Sequence, residues 1–589
     1  MNKEKKDLIG SETAKGKVSR RNFVKGAATV AAVAATVPLE PLFGGKHSVA
    51  EASVVPYGSG ARATASFNYR TNTATVENID VGVQPDNGDA TTFTDFSGSY
   101  SKALLHDGLG VPNAASWLSM KNALTIGSFS AFENNIIVGT PGGGPNSRLN
   151  GPQVALAFDL EGLDSHASVI PPAPSVASAQ TAAEQVEHYW AALLADVPFS
   201  QYQTNSLASQ AASDMNNLSF LQSSANNQFP FRVTKKNLFR GQAFVGDGNA
   251  LGPYISQFLV QPTFFGAQPI SQQYQTFLPV GGGGSDFMTS VSEYQTVQNG
   301  GASGRQLAFD PTFRFIRNGR DLAAYTHVDV LYQAYFAAFL VLAGIGAPPN
   351  PGNPYIGSNT EKAFATLGGP DAAGTLAEMA TRALKAAWFH KWIKDLRMRP
   401  EEYGALVQAN RTNTSPFPQA AAALHSDVLN SAALPIIIST YGTYLLPQAF
   451  PEGSPTHPCY PTGHGAVGGA CCTVLKFFFD GSQKIRALLR SAGRDVYEPS
   501  TDGLSLNTIT DSDRNVLDIN GELSKLAFNI SFGHGIHAGI HFRSSTYWSI
   551  LLGEQVALSI LRDRAKSYNE PFTVNITKFD GTTATITNQ

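Results

Sequence analysis

Residues 322–343 are apolar on two helical faces at once, so they must be surrounded by other protein or by lipid. The stretch is long enough to cross a bilayer, but Arg320, Asp321, His327 and Asp329 crowd its start, and such a density of polar and charged groups excludes a membrane span. What remains is a helix in the middle of a bundle, which needs partners to cover it. The sequence supplies them, with helical signal over residues 176–194, more weakly over 207–221, and then over 372–397, 421–446, 465–479, 485–492, 526–541 and 547–566. Pro348, Pro349, Pro351 and Pro354 force a loop after residue 343, and Pro400 stops the helix expected to end at 397. Residues 572–576 and 583–587, around Asp580-Gly581, read as a β-hairpin. The expected class is therefore mainly α: a helical bundle with a small C-terminal β-hairpin.

The other boundaries follow from composition. Residues 53–100 are rich in Thr, Asn, Gly and Asp and read as an irregular surface arm, with an apolar segment following at 114–126. This divides the chain into a leader (1–50), an arm with the first helices (51–150), the helical domain (151–570) and the hairpin (571–589). A chain of 589 residues with 42% hydrophobic composition buries a substantial core, which excludes disorder and a disulfide-stapled miniature. No repeat period points to a solenoid.

Ser19-Arg20-Arg21-Asn22-Phe23-Val24-Lys25, followed by an Ala/Val-rich run too short for a membrane span, is a twin-arginine signature. It implies export of a folded protein to the periplasm or beyond, with no transmembrane segment in the mature chain. Removing residues 1–50 takes away nine Lys/Arg and four Asp/Glu and moves the formal charge from -3 to -8. That balance, without a basic run, argues against nucleic acid or an anionic membrane as a partner. The three cysteines, Cys459, Cys471 and Cys472, have neither zinc-site spacing nor an ordinary bridge between the adjacent pair.

Three segments carry candidate chemistry. Lys391 and Arg399 lie at the end of the helix expected over 372–397; were that helix to continue, about 12 Å of rise and about 80° of rotation would let both reach one pocket. Lysine offers a point charge and arginine a planar fork suited to a tetrahedral oxyanion, although a basic last turn also suits a helix end. Next comes His457-Pro458-Cys459-Tyr460-Pro461-Thr462-Gly463-His464-Gly465, where two prolines keep the approach extended before a small-residue helix. Thr462 and Gly463 stand where a helix N-terminus presents free N–H groups and a hydroxyl to an anion; the plain alternative is Thr462 as an N-cap. The third is His534-Gly535-Ile536-His537-Ala538-Gly539-Ile540-His541, whose three histidines share one face if the segment is helical and would also suit a metal.

With these residues the sequence resembles the vanadium-dependent haloperoxidases, in their algal and cyanobacterial bromoperoxidase branch, a group related to the acid phosphatases. The resemblance covers at least residues 150–570, including Leu149-Asn150-Gly151-Pro152, Pro171-Pro172-Ala173-Pro174 and Phe315-Ile316-Arg317-Asn318-Gly319-Arg320-Asp321-Leu322, and it places the site within 385–545. It implies vanadate held by Lys391, Arg399, Thr462, Gly463 and His464, with His541 as the metal ligand, His464 as acid/base, Lys391 polarising peroxide, His457 as a supporting catalytic histidine and Trp388 nearby. Thr462 replaces the family's serine. Gly535 stands where the family has an arginine, leaving His534 as the nearest substitute, and Ser545 stands where it has an aspartate. The implied reaction is oxidation of bromide or iodide by hydrogen peroxide to a hypohalous-acid equivalent, passed to an organic acceptor, in a homo-oligomer that also binds calcium. Phosphomonoester hydrolysis with His541 as nucleophile, and oxyanion binding or assembly without catalysis, are the rival expectations.

Overall fold

The computed structural model describes residues 60–140, 144, 146–241 and 251–589; the twin-arginine segment lies outside them. Its principal helices are α1 (Ala179–Leu193), α2 (Gly319–His327), α3 (Gln333–Gly344), α4 (Gly369–Phe389), α5 (Pro400–Thr412), α6 (Gly463–Phe478), α7 (Ile519–Phe532) and α8 (Arg543–Ala565). Strands β1 (Thr573–Thr577) and β2 (Thr583–Thr587) close the chain as the expected antiparallel hairpin, with Val574 opposite Ile586. No helix among the described residues is long and apolar enough to cross a membrane.

Every residue of α6 is buried, which makes it the axis of the bundle. It packs against α4, α7 and α8. Its small residues explain why neighbours come so close: a Cβ on Gly469 would stand 1.9 Å from the Ile550 carbonyl oxygen, and one on Gly553 of α8 would stand 1.9 Å from that of Ala466. The α6–α8 crossing is therefore a backbone-to-backbone contact that only glycine permits at these positions.

Four expectations change. The stretch over 322–343 is two helices, with the break at 328–332 carrying Asp329. The segment over 372–397 leaves α-helical geometry at Phe389, runs through a π-helical turn (His390–Asp395), and reverses at Leu396, whose φ is +43°. Arg399 then caps α5, a helix absent from the sequence reading, with Pro400 in its first turn and Glu402 accepting from the Arg399 N–H at 2.6 Å. The stretch over 421–446 is three short pieces (Gln419–Ala422, Ser426–Leu429, Ala433–Tyr441). The arm is not wholly irregular either, since Gly60–Glu77 is helical. Its threonines at 64, 71, 73 and 75 satisfy their hydroxyls on carbonyls three or four residues back.

Candidate active site

The chain reversal after α4 aims Lys391 and Arg399 into one buried pocket from two different elements, and both are 0% exposed. Lys391 Nζ donates to the carbonyl of Pro458 at 2.7 Å and more loosely to that of Cys459 at 3.4 Å. Arg399 donates to the carbonyls of His457 (2.8 Å), Ile540 (3.2 Å) and Pro455 (3.2 Å) and to the imidazoles of His457 and His541. All these partners are neutral. Burial, reinforced by the Arg399 charge, pushes the Lys391 ammonium well below its ordinary range, and burial lowers Arg399 as well.

His541 faces this pair with a defined tautomer. Its Nδ1 lies 2.6 Å from the Cys459 carbonyl, which can only accept, so Nδ1 carries the proton. Nε2 is then the lone-pair nitrogen, and it accepts from Arg399 Nη1 at 3.0 Å. Burial, with the Arg399 and Lys391 charges, holds this imidazole well below its usual range and hence neutral. His457 is fixed similarly, its Nδ1 accepting from Arg399 Nη2 at 2.8 Å while its ring lies 4.8 Å from that of Trp388. Trp388 is itself anchored through Nε1 to the Asn150 carbonyl at 3.2 Å.

The N-terminus of α6 closes the pocket. Thr462 occupies the N-cap position, yet its hydroxyl makes no cap hydrogen bond, and Oγ1 is buried without any partner among the described residues. The simple N-cap reading therefore fails, and the hydroxyl is left as a donor beside the first N–H groups of the helix. A Cβ on Gly463 would come within 3.1 Å of the Trp388 ring and 3.2 Å of Leu384, so glycine lets the indole lie against the helix end.

His464 brings in a residue that sequence reasoning missed. Its Nε2 lies 3.0 Å from Asp329 Oδ1. Asp329 had counted only as a charge against a membrane span; the available signal was a carboxylate inside an apolar stretch. Because the carboxylate accepts from Nε2–H, it leaves Nδ1 as the basic nitrogen of the ring.

The third segment departs most from expectation. α7 ends at Phe532 and a π-helical turn (Gly533–His537) follows, so the histidines do not share one helical face. His534 stacks on His464 with ring centroids 4.0 Å apart, whereas His537 turns away to Tyr254, Nε2 to hydroxyl at 2.9 Å. The three-histidine metal reading fails on that divergence. Among the described residues no group of three or more His, Cys, Asp or Glu is arranged to hold a metal, which also leaves the calcium expectation without a candidate cluster. At Ser545, where a carboxylate was expected, the hydroxyl lies 3.4 Å from Cys459 Sγ and from Arg397 Nη1, and the carbonyl accepts from the Thr462 N–H at 3.1 Å. A Cβ on Gly535 would meet the carbonyl oxygen and Cβ of His541 at 3.2 and 3.3 Å.

Two buried basic side chains with neutral partners, an unsatisfied hydroxyl, a helix N-terminus and one imidazole lone pair form a donor set that fits vanadate: a tetrahedral oxyanion would take the N–H and O–H donors, and its metal the nitrogen that here accepts from Arg399.

No family model matches the chain. It is 34% identical over 485 residues to the vanadium-dependent bromoperoxidase of Corallina pilulifera, covering 73% of this chain and 78% of that protein. It is 32% identical over 505 residues to the vanadium-dependent bromoperoxidase of Ascophyllum nodosum, covering 83% and 86%. Its fold matches the homohexameric structure of a second vanadate-dependent bromoperoxidase from Ascophyllum nodosum with a TM-score of 0.80 and 26% identity, over 94% of this chain and 95% of that one.

Proposed function

The chain belongs to the vanadium-dependent haloperoxidase family, and within that activity, oxidation of a halide by hydrogen peroxide, we propose that it acts on bromide or iodide and releases a hypohalous-acid equivalent to an organic acceptor. The observation that carries the reading is the pairing of Lys391 and Arg399, both buried on neutral partners, around the Nε2 lone pair of His541.

Bound vanadate supplies a Lewis-acid centre that activates hydrogen peroxide while the metal stays in its highest oxidation state. Lys391, Arg399, the Thr462 hydroxyl and the Gly463 N–H would hold the oxyanion, and His541 Nε2 would bind the metal. His464 takes a proton from hydrogen peroxide at Nδ1, because Asp329 already holds Nε2–H. Lys391, protonated once an anion is bound beside it, would polarise the peroxide, and His457 keeps Arg399 oriented through its Nδ1. In the net reaction the halide gives up an electron pair, the oxygen–halogen bond forms and the O–O bond breaks, and one proton taken up from solvent lets the second oxygen leave as water beside the hypohalous acid.

Purified protein with and without vanadate should be assayed with peroxide and each halide, with a phosphate ester in parallel. Peroxide-dependent halogenation that requires vanadate and is lost in His541→Ala is the expected result. Ester turnover without peroxide, inhibited by vanadate, would instead select phosphomonoester hydrolysis, for which the same lone pair is a competent nucleophile. Tight vanadate binding with neither turnover would select a non-catalytic role.

Assembly with copies of itself belongs to the same reading, supported by the large apolar side chains that stand in solvent, among them Phe158, Leu160, Phe231 and Phe364. Export as a folded protein is supported by the motif at Arg20-Arg21 and by three free, buried cysteines, which leave folding independent of an oxidising compartment.

A further inference from the structure

Lys391, Arg399, Thr462 and His541 are at most 1% exposed, whereas His464 and His534 are each 8% exposed, so these two imidazoles sit nearer the surface than the buried cations do. Their rings stack 4.0 Å apart with 28° between the planes. They differ in one respect. His464 is held by Asp329, whereas His534 makes no hydrogen bond with any described residue, and its Nδ1 is buried without a partner. A nearly buried imidazole whose Nδ1 is unsatisfied is unfavourable unless something else supplies the partner.

The surroundings say which kind of partner. Phe450 lies 6.4 Å from the His534 ring and His541 lies 5.9 Å from it. Behind Phe450, His327 stacks at 4.0 Å and is tied through Nε2 to Glu452 at 2.6 Å. Both nearby carboxylates, Asp329 and Glu452, are thus engaged by imidazoles, while Arg399 and Lys391 act on His534 from the pocket side. An anion arriving at His464 meets a positive field, aromatic walls and one unused ring N–H.

We propose that His534 is the halide-recognition residue, its ring N–H donating to bromide or iodide beside His464. The proposal rests on the haloperoxidase reading above and adds the residue that selects the halide. Ring faces on two sides and a single uncharged donor suit a large, polarisable, weakly hydrated anion better than chloride, whose stronger hydration needs more donors to replace it.

The test combines bromide-soaked crystals of the vanadate-loaded protein with steady-state kinetics and vanadate titration of His534→Ala and His534→Gln. The expected results are an anomalous bromide peak at hydrogen-bonding distance from the His534 ring, a KM for bromide about 10- to 100-fold higher in the alanine variant, unchanged vanadate affinity, and recovery of most of the loss in the glutamine variant, which keeps an N–H donor. The proposal is overturned by a bromide KM that does not move, by bromide density elsewhere in the pocket, or by a loss of vanadate affinity equal to the loss in KM, which would make His534 an oxyanion donor. Wild-type protein that binds no vanadate and oxidises no halide would overturn the haloperoxidase reading itself, an outcome distinct from a variant that behaves like wild type.

Discussion

Replacing Thr462 by valine should strengthen the protein without vanadate and weaken it with vanadate. The Thr462 side chain is 0% exposed and its Oγ1 has no partner among the described residues. A buried hydroxyl in that state costs about 1–3 kcal/mol, and valine keeps the shape while removing it. A chain of this size has an unfolding entropy near 1 kcal/mol per degree, so the ligand-free midpoint should rise by roughly 1–3 °C. With vanadate the sign reverses. The lost donor is one hydrogen bond to a charged oxyanion, which makes binding about 10- to 100-fold weaker and cuts the vanadate-induced stabilisation accordingly. Thermal unfolding of wild type, Thr462→Val and Thr462→Ser across a vanadate titration reads both effects, with serine expected to follow wild type. A lower ligand-free midpoint in the valine variant would refute the reasoning, because the hydroxyl would then be capping α6 after all.

Three shorter predictions follow from the same geometry. Asp329→Asn should lower kcat about 10- to 100-fold while leaving vanadate affinity near wild type, since Asp329 touches His464 and not the cations; steady-state rates beside a vanadate titration separate the two. Gly469→Ala should destabilise by about 1–3 kcal/mol or prevent folding, because its Cβ would stand 1.9 Å from a backbone oxygen of α8 that cannot step aside, and a denaturant midpoint reads it. Burial holds His188, His390 and His537 at about 3 against an ordinary 6.5, so their contribution to stability is present above pH 6.5 and lost as pH falls toward 3; burial raises Asp89 and Asp395 to about 7, so theirs is lost as pH rises through 7. Urea midpoints should therefore fall on both sides of a maximum lying between about pH 4 and 7, the acid side more steeply in wild type than in a His390→Phe variant.

The sequence made α6 legible because its first ten residues are mostly small and its remainder mostly apolar, and it made the hairpin legible through alternation around Asp580-Gly581. It concealed every place where the helix period changes. Lys391 sits in a π-helical turn, so the rise and rotation of a regular helix misplace it, and the reversal at Leu396 sends Arg399 to the start of another helix. The turn at 533–537 likewise separates His534 from His537, which regular periodicity had put on one face. The break after α2 is hidden because Val328, Val330 and Leu331 are as apolar as a helix interior, and Asp329 acquires its meaning only from His464, 135 residues later in the chain. The three misread segments thus bend where they enter the pocket, so local pattern fails at the functional site while succeeding in the core.

The same contrast appears in the charges. Four other buried cations meet carboxylates: Lys102 meets Glu401 at 2.5 Å, Lys525 meets Glu522 at 2.6 Å, Arg397 meets Glu184 at 3.1 Å, and Arg543 pairs with Glu187. The Lys391 and Arg399 side chains instead meet carbonyls, imidazoles and, for Lys391, the Trp388 ring at 5.5 Å, with no hydrogen bond to a described carboxylate, so an oxyanion that brings counter-charge would stabilise the fold as well as enabling chemistry. A third cation at position 535, a guanidinium, would deepen that dependence: its Cβ would already press on the His541 backbone, and its charge would add to a pocket where Lys391 is pushed well below its ordinary range. Glycine at 535 and a neutral imidazole at 534 leave the pocket with fewer like charges to hold apart before the anion binds and a weaker grip afterwards. This chain should therefore release vanadate more readily than a three-cation pocket would, yet fold more readily without it.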